Sequence, residues 1–337
     1  MIKTLNFPKN TEQLLKKSVI WDNHTCMPLR HGDTEFMQQL ELHKRIGATV
    51  VVINVTFDMY PWHTAFKMLA TFRTWVKEHT EDYMLIDTVA DVIAAKNSGK
   101  VGICFDIEGG NAVDDLPELI EPLYALGVRW MLLAYNQNNK LAGGCQDQDS
   151  GLTDFGRRVI KQMEKHGMVL CCTHTGYKSA IEAIEYSTNP VIFSHSNARA
   201  VFDHPRNIND DLIKACAASG GVINVNGLGA FLGEKNDNST DTFVRHLDYI
   251  AELVGPEHVG LGLDYVYDQQ ELDEIVRDNP EMFPREKGYG QGLKFVEPQR
   301  IPQIVESLIN IGWNEQNIKG VLGENNLRIA KQVWRNI

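Results

Sequence analysis

The chain has 337 residues, 43% of them hydrophobic and 23% charged, which is enough apolar material for a large core. Its 33 Lys and Arg residues against 44 Asp and Glu residues give a formal net charge of −11. Nucleic acids and anionic membranes bind clustered basic side chains, which this chain lacks, and no run of about 18 apolar residues could span a bilayer. We expect neither kind of partner. The opening residues, MIKTLNFPKNTEQLL, lack the apolar stretch of a secretory signal, so a cytoplasmic location is predicted.

Eight short apolar runs recur along the chain, each with the length of a β-strand. The runs are continuous rather than alternating, a pattern typical of parallel strands covered on both faces. Their bounds are Ser18–Asp22, Ala48–Val55, Val101–Ile107, Arg129–Tyr135, Met168–Thr173, Val191–Ser194, Gly221–Val225 and His258–Leu263.

Longer stretches separate these runs, and in several of them apolar side chains recur with the period of an amphipathic helix. Helices are predicted at Asp154–His166, Tyr177–Ser187, Asp210–Ser219 and Thr242–Val254.

Eight alternating strand and helix units predict the α/β class, specifically a closed (β/α)8 TIM barrel in one domain over residues 1–337. The rival is an open, doubly wound sheet, which favours a glycine-rich turn after its first strand. Here the first strand ends in WDNHTCMPL, without glycine. The polar and aromatic segment 265–297 follows the last strand, and we interpret it as a loop over the barrel mouth that could serve as a lid.

Polar side chains stand where the predicted strands end, which is the position that carries the chemistry in barrel enzymes. These side chains belong to His24, Glu108, Tyr135, Asn136, His174, His195 and Asp264. Imidazole and carboxylate groups are suitable ligands for zinc, manganese or iron. The sequence therefore predicts one or two divalent ions held by His24, Glu108, His174 and His195.

Cys26 lies two residues after His24, so in an extended chain both side chains share one face. A thiolate binds zinc well, which makes Cys26 a candidate ligand. The alternative is a small neutral side chain that binds no ion.

Nine sequence motifs carry a resemblance to a known family. They are WDNHTCMPL, VGICFDIEGG, RWMLLAYNQNN, GLTDFGRRVIKQMEKHGM, CCTHTG, PVIFSHSNARAV, HPRNINDD, FVRHLDYIAELVGPEHVGLGLDY and GENNLRIA. In this order, over nearly the whole chain, they resemble the membrane (renal) dipeptidase family, the M19 metallopeptidases of the amidohydrolase type. The resemblance implies a zinc-dependent barrel enzyme, usually binuclear, that cleaves dipeptides. Such enzymes are often dimeric, so a homodimer is one expectation.

The resemblance also implies roles for single residues. His24 matches the ligand on the first strand, and Glu108 matches the carboxylate that bridges both ions. His174 and His195 match the ligands of the second ion. Asp264 matches the catalytic acid/base residue.

A further match concerns the substrate, because Arg206 corresponds to the arginine that holds the substrate carboxylate. Asn226, just past the seventh strand, is a candidate donor to the substrate backbone, with a turn role as the alternative. In the hypothesis that follows, hydroxide on the metal attacks the amide carbonyl and Asp264 moves the proton to the leaving amine.

The chain departs from the family pattern at two positions of the reacting centre. The family motif on the first strand is His-x-Asp, whereas this chain has Cys26 at the third position. After the fourth predicted strand the family has a histidine that contacts the scissile carbonyl, and this chain has Tyr135. A tyrosine can donate a hydrogen bond to an oxyanion, and packing at the barrel mouth is the alternative role.

Three functions are therefore open on the sequence. The first is a hydrolase of dipeptides or similar small amides. The second is an amidohydrolase of the same fold that acts on a non-dipeptide amide or a modified amino acid. The third is a catalytically silent barrel that binds a small ligand.

Overall fold

The structure is a computed structural model that describes residues 8–335. All strand pairs in its one ten-stranded sheet are parallel. The strands are β1 (Trp21–Cys26), β2 (Val50–Phe57), β3 (Tyr83–Leu85), β4 (Val101–Glu108), β5 (Val128–Leu132), β6 (Val169–Cys171), β7 (Ile192–Phe193), β8 (Val222–Asn226), β9 (Val259–Gly262) and β10 (Tyr265–Val266).

Fourteen α-helices lie in the part of the chain that the structure describes. They are α1 (Lys9–Lys17), α2 (Glu41–Arg45), α3 (Thr64–Glu78), α4 (Val89–Ser98), α5 (Ile120–Ala125), α6 (Asp154–His166), α7 (Tyr177–Tyr186), α8 (Asp210–Ala218), α9 (Gly229–Leu232), α10 (Thr240–Val254), α11 (Gln269–Asp278), α12 (Ile301–Asn310), α13 (Glu315–Lys319) and α14 (Asn325–Val333). Within residues 8–335, no helix is both long and apolar enough to cross a membrane.

The sheet closes into a barrel. Its strand order is β10-β1-β2-β4-β5-β6-β7-β8-β9, with β3 attached to β4. Since β9 and β10 are separated only by Leu263 and Asp264, the two ends of this order are consecutive in the chain. The amide of Leu263 also donates to Asp22 Oδ1 on β1, at 2.9 Å. The predicted (β/α)8 barrel is confirmed, and the doubly wound alternative is wrong.

Each of the eight predicted strands overlaps an observed strand, but two short strands were missed. β3 has three residues and β10 has two, which is too short to give a recognisable apolar pattern. The first strand was also placed too early, because only Trp21 and Asp22 of the predicted run lie in β1, which continues to Cys26. β1 continues through the polar residues that enter the barrel mouth.

Helix α6 shows why the helix predictions succeeded. The Thr153 hydroxyl accepts a hydrogen bond from the Gly156 amide at 2.9 Å and caps the first turn. Gly167, with a φ of 89°, ends the helix in the left-handed conformation that suits glycine. The observed bounds equal the predicted ones, Asp154–His166.

Segment 265–297 is more ordered than the loop that the sequence predicts. It contains β10 and the ten-residue helix α11, whose first turn is capped when Asp268 Oδ1 accepts from the Glu271 amide at 3.1 Å. A role as a lid stays a prediction. That residues 1–337 form one domain also stays a prediction, and its end points lie outside the described residues.

Candidate metal centre

Four buried side chains at the carboxyl ends of the strands point at one another. His24 lies on β1 and Glu108 ends β4, while His174 follows β6 and His195 follows β7. The three imidazole Nε2 atoms lie 3.5 Å (His24), 3.3 Å (His174) and 3.2 Å (His195) from Glu108 Oε1. The structure thus brings together the four residues that the sequence proposes as ligands.

The central oxygen of this group, Glu108 Oε1, is buried and has no hydrogen-bond partner in the part of the chain that the structure describes. The Nε2 atoms of His174 and His195 are also only 3.0 Å apart. Burial raises the pKa of Glu108 to about 8. An unpartnered carboxylate oxygen facing three imidazole nitrogens is costly when buried, and a divalent cation would relieve that cost. The donor set therefore fits a metal ion.

Each histidine is oriented by a hydrogen bond on its other ring nitrogen. His24 Nδ1 donates to Asp106 Oδ2 at 3.0 Å, and His174 Nδ1 donates to Asn136 Oδ1 at 2.6 Å. His195 Nδ1 is 2.9 Å from the hydroxyl of the neighbouring Ser194. These bonds direct all three Nε2 atoms into the centre, as outer partners of metal-binding histidines do.

The pKa values of the three imidazoles are shifted in different directions. Burial and the nearby Arg206 guanidinium hold the pKa of His174 well below its usual value. Burial and His24 do the same for His195. Burial also acts to lower the pKa of His24, but the carboxylates of Asp106 and Glu108 outweigh it and raise that pKa well above 6.5.

Cys26 lies beside this group on β1. Its Sγ is 3.4 Å from His24 Nε2 and 3.6 Å from Asp264 Oδ1. His24 Nε2 is also 3.4 Å from Asp264 Oδ1, so His24, Cys26 and Asp264 offer a second cluster of ligand atoms. Burial raises the pKa of the Cys26 thiol. A bound cation would be needed to stabilise the thiolate.

Hydrogen bonds hold both the backbone and the side chain of Asp264. Its φ of 56° is left-handed, and its amide donates to the His24 carbonyl oxygen at 3.0 Å. Asn226 Nδ2 donates to Asp264 Oδ2 at 2.9 Å, while Asn226 Oδ1 accepts from the Leu228 amide at 2.6 Å. The sequence suggested a substrate contact or a turn for Asn226, and the structure gives it a turn contact and a bond to Asp264.

Tyr135 stacks on the His174 ring, with ring centroids 4.1 Å apart and planes inclined by 24°. It also packs against Phe57 and Phe283, as the packing alternative requires. Its amide donates to Asp58 Oδ2 at 3.1 Å. Burial raises the pKa of the Tyr135 phenol well above 10, so the phenol keeps its proton and remains a donor.

Arg206 is a buried cation with an incomplete set of partners. It is 3% exposed, and its Nε has no hydrogen-bond partner among the described residues. Its Nη2 lies 3.0 Å from His174 Nε2, and the guanidinium lies 5.1 Å from the centre of the Phe231 ring. Its own amide donates to His204 Nδ1 at 3.1 Å. An anion beside Arg206 would compensate its buried charge.

Sequence reasoning missed two groups that organise the centre. Asp106, two residues before Glu108 on β4, shares its face of the strand, and this alternation in FDIEGG was the available signal. Asn136 was noted only as a strand-end residue. Its partner, His174, lies 38 positions away, and nothing in the local sequence indicates that contact.

A parallel barrel with imidazoles and a carboxylate gathered at its C-terminal mouth is the architecture of the barrel metallohydrolases. Residues 9–278 match the model of the membrane dipeptidase family, peptidase family M19. The chain belongs to that family.

The matching proteins include an uncharacterized dipeptidase of Schizosaccharomyces pombe, 32% identical over 273 residues. The match covers 77% of this chain, which spans about 60% of the length of that relative.

Three solved structures share the fold. An amidohydrolase from Pseudomonas aeruginosa is 24% identical with a TM-score of 0.83, and the match covers 96% of this chain and 99% of that one. A probable dipeptidase from the same organism is 18% identical with a TM-score of 0.80 and coverages of 96% and 98%. A Rhodobacter sphaeroides metallopeptidase, liganded with a phosphinate mimic of the dipeptide L-Ala-D-Ala, is 18% identical with a TM-score of 0.75 and coverages of 94% and 100%.

Proposed function

We propose that this chain is a metal-dependent hydrolase that cleaves the amide bond of dipeptides or similar small substrates. The observation that carries the proposal is the buried Glu108 Oε1, which faces three imidazole Nε2 atoms within 3.5 Å and has no hydrogen-bond partner among residues 8–335. Membership of the membrane dipeptidase family supports the dipeptide as substrate.

We further propose zinc as the ion. Glu108, His174 and His195 would hold one ion, and Glu108, His24 and Cys26 would hold a second. Imidazole, carboxylate and thiolate together are a donor set that zinc prefers. When bound, such ions polarise a carbonyl group and lower the pKa of water.

The side chains around the ions have separate tasks in this proposal. Asp264 Oδ1 faces the centre while Oδ2 is held by Asn226, so the carboxylate is oriented to accept a proton from water and to pass it to the leaving amine. The Tyr135 phenol would donate to the developing oxyanion. Arg206 would pair with the substrate carboxylate.

The alternative functions differ in what they leave unexplained. A catalytically silent barrel gives no reason to keep Glu108 and Arg206 buried without full partners, since both cost stability. An amidohydrolase of non-dipeptide amides shares the same centre, and Cys26 and Tyr135 are the residues that favour it. Hydrolysis of dipeptides compared with hydrolysis of N-acyl amino acids separates these functions.

The test is metal content together with hydrolysis. Purified protein, loaded with zinc and freed of excess, should contain close to two ions per chain by elemental analysis. It should then hydrolyse members of a panel of dipeptides faster than N-acyl amino acids of equal size. Turnover of the N-acyl compounds alone would favour the second function, and bound metal without any turnover would favour the third.

Two further predictions from the sequence concern the oligomeric state and the cellular location of the protein. A homodimer would appear as a doubled mass in light scattering, and a cytoplasmic location would appear in cell fractionation. Both stay predictions.

A further inference from the structure

One side of the metal centre opens into an apolar chamber. The chamber has a volume of about 780 Å³, including the part open to solvent. Cys26, Glu108, His174 and Asp264 line its inner end. Its walls are aliphatic and aromatic, and they include Leu228, Phe231, Ile275, Val276, Phe283 and Leu293. Apolar ligand groups bind in cavities of this kind.

A second cavity, which His174 also lines, has a different chemistry. Its volume is about 700 Å³, including the part open to solvent, and Arg206, Arg199, Asp147 and Asp149 are among its lining residues. Arg206 lines this cavity and not the chamber. A substrate carboxylate paired with Arg206 therefore lies beside His174, which lines both cavities, and at the Phe231 edge of the chamber, where the guanidinium is 5.1 Å from the ring centre.

This division fixes the direction of a bound dipeptide. Its scissile carbonyl has to lie beside Glu108 and Asp264, and its carboxylate beside Arg206. The residue that supplies the carbonyl then extends its side chain into the chamber. We propose that the chamber selects dipeptides whose amino-terminal residue carries a large apolar side chain, such as leucine or phenylalanine. The inference rests on the proposed function, because it uses the same reacting centre.

The chamber is preformed, since hydrogen bonds tie its outer wall, segment 265–297, to the barrel loops. Lys287 Nζ donates to the Gln146 carbonyl oxygen at 3.0 Å, and Gln146 Nε2 donates to the Tyr289 hydroxyl at 3.0 Å. His204 Nε2 donates to the Lys287 carbonyl oxygen at 2.7 Å. A wall fixed at these points would lose little conformational entropy when a side chain enters.

Two carboxylates also line the chamber, and both are paired. Arg30 Nη1 lies 3.2 Å from Asp268 Oδ2 and 3.0 Å from Glu271 Oε2. The pairing reduces the negative charge that these groups present to the chamber. The apolar walls therefore determine which substrate side chain the chamber accepts.

The experiment compares dipeptides of identical composition and reversed order. Leu-Gly and Gly-Leu would be titrated calorimetrically into zinc-loaded Asp264→Asn protein, in which slow turnover leaves the ligand intact. Leu-Gly should bind at least tenfold more tightly, the order of magnitude expected for burying a leucine side chain. Equal binding, tighter binding of Gly-Leu, or no binding of either would overturn the inference.

Substitutions on α11 test whether the chamber is responsible. Ile275 lines the chamber, and Ile275→Glu should abolish the preference for Leu-Gly while Gly-Gly binding is kept. Ile275→Ala should reduce the preference by a smaller factor and covers the case in which the charged variant fails to fold. Gln270→Glu places the same charge on an exposed position of α11 and should leave the preference unchanged. An unchanged preference in both Ile275 variants would overturn the assignment.

Turnover by the wild-type protein is read separately. A binding preference for Leu-Gly without hydrolysis would contradict the proposed dipeptidase function and still support the chamber. Hydrolysis with no preference between the two orders would support the function and contradict the chamber.

Discussion

The amide of Asp264 donates a hydrogen bond to the carbonyl oxygen of His24 at 3.0 Å, so the link between β9 and β10 is fixed to β1 at the metal centre. The contact that closes the barrel therefore also sets the position of Asp264 at the metal centre. Tyr267 strengthens this junction, because its amide donates to the Cys26 carbonyl oxygen at 3.1 Å. Any change that loosens the closure would also displace Asp264 from the centre.

Replacement of Asp264 tests its role in proton transfer. Asp264→Asn keeps the size of the side chain but removes the base, so kcat for a dipeptide should fall by about 10²- to 10⁴-fold. Metal content, measured by elemental analysis, should stay the same, which would separate catalysis from assembly of the site. Asp211→Asn, at an exposed position on α8, serves as the control. Undiminished turnover in the Asp264 variant would refute the role.

Much of this architecture could be predicted from the sequence. The eight apolar runs predicted the barrel, because parallel strands covered on both faces have few polar interior positions. The polar residues at the strand ends predicted the candidate ligands His24, Glu108, His174 and His195. The hydrogen bonds that orient them could not be predicted, since His24 and Asp106 are 82 positions apart and meet only once the barrel is closed. The hydrogen bonds of Asp264 could not be predicted either, because β10, the strand that follows it, is only two residues long.

The contact between Asp106 and His24 predicts an effect on metal affinity. Asp106→Asn removes the negative charge behind the imidazole, so affinity for zinc should fall by about 10- to 100-fold. Competition with a chromogenic chelator would measure the change. Asp115→Asn, exposed in the turn after β4, should bind zinc like the wild-type protein. Equal affinity in the Asp106 variant would show that the hydrogen bond to His24 does not tune the metal.

Cys26 predicts a spectroscopic signature of the metal centre. Cobalt substituted for zinc should give a near-ultraviolet charge-transfer band if the Cys26 thiolate is a ligand. Cys26→Ser should lose the band, and Cys26→Asp, which restores the family motif, should bind two ions without it. A wild-type cobalt spectrum without the band would contradict ligation by Cys26, whatever the activity of the protein.

A buried network beneath the centre predicts a stability effect. His43 Nε2 donates to Asp22 Oδ2 at 2.9 Å, and the Tyr267 hydroxyl donates to His43 Nδ1 at 2.9 Å. Tyr267→Phe removes the donor and leaves a buried acceptor unpaired, so the free energy of unfolding should fall by about 1–3 kcal/mol. Urea unfolding of the zinc-loaded protein would measure it. Tyr177→Phe, at a half-exposed position, should change little, and equal stability of both variants would contradict the network's importance.

His246, which is not among the proposed metal ligands, predicts how the stability of the fold depends on pH. The Ala198 amide donates to its Nδ1 at 3.2 Å, and its Nε2 donates to the Leu232 carbonyl oxygen at 3.0 Å, so the folded protein holds the neutral ring. Burial lowers the pKa of His246 from 6.5 to about 4. Between these values the unfolded chain takes up a proton that the folded chain does not. This group's contribution to stability is therefore present above pH 6.5 and is lost as the pH falls towards 4.

The shift corresponds to a loss of up to about 3 kcal/mol from this residue. His246→Gln removes the titration, so the difference in unfolding free energy between wild type and variant should shrink as the pH is lowered from 7.5 to 4.5. Urea titrations at both pH values would measure that difference, and comparison within each pH cancels the titration of other groups. A difference that stays constant would show that the folded protein protonates His246 as readily as the unfolded chain does.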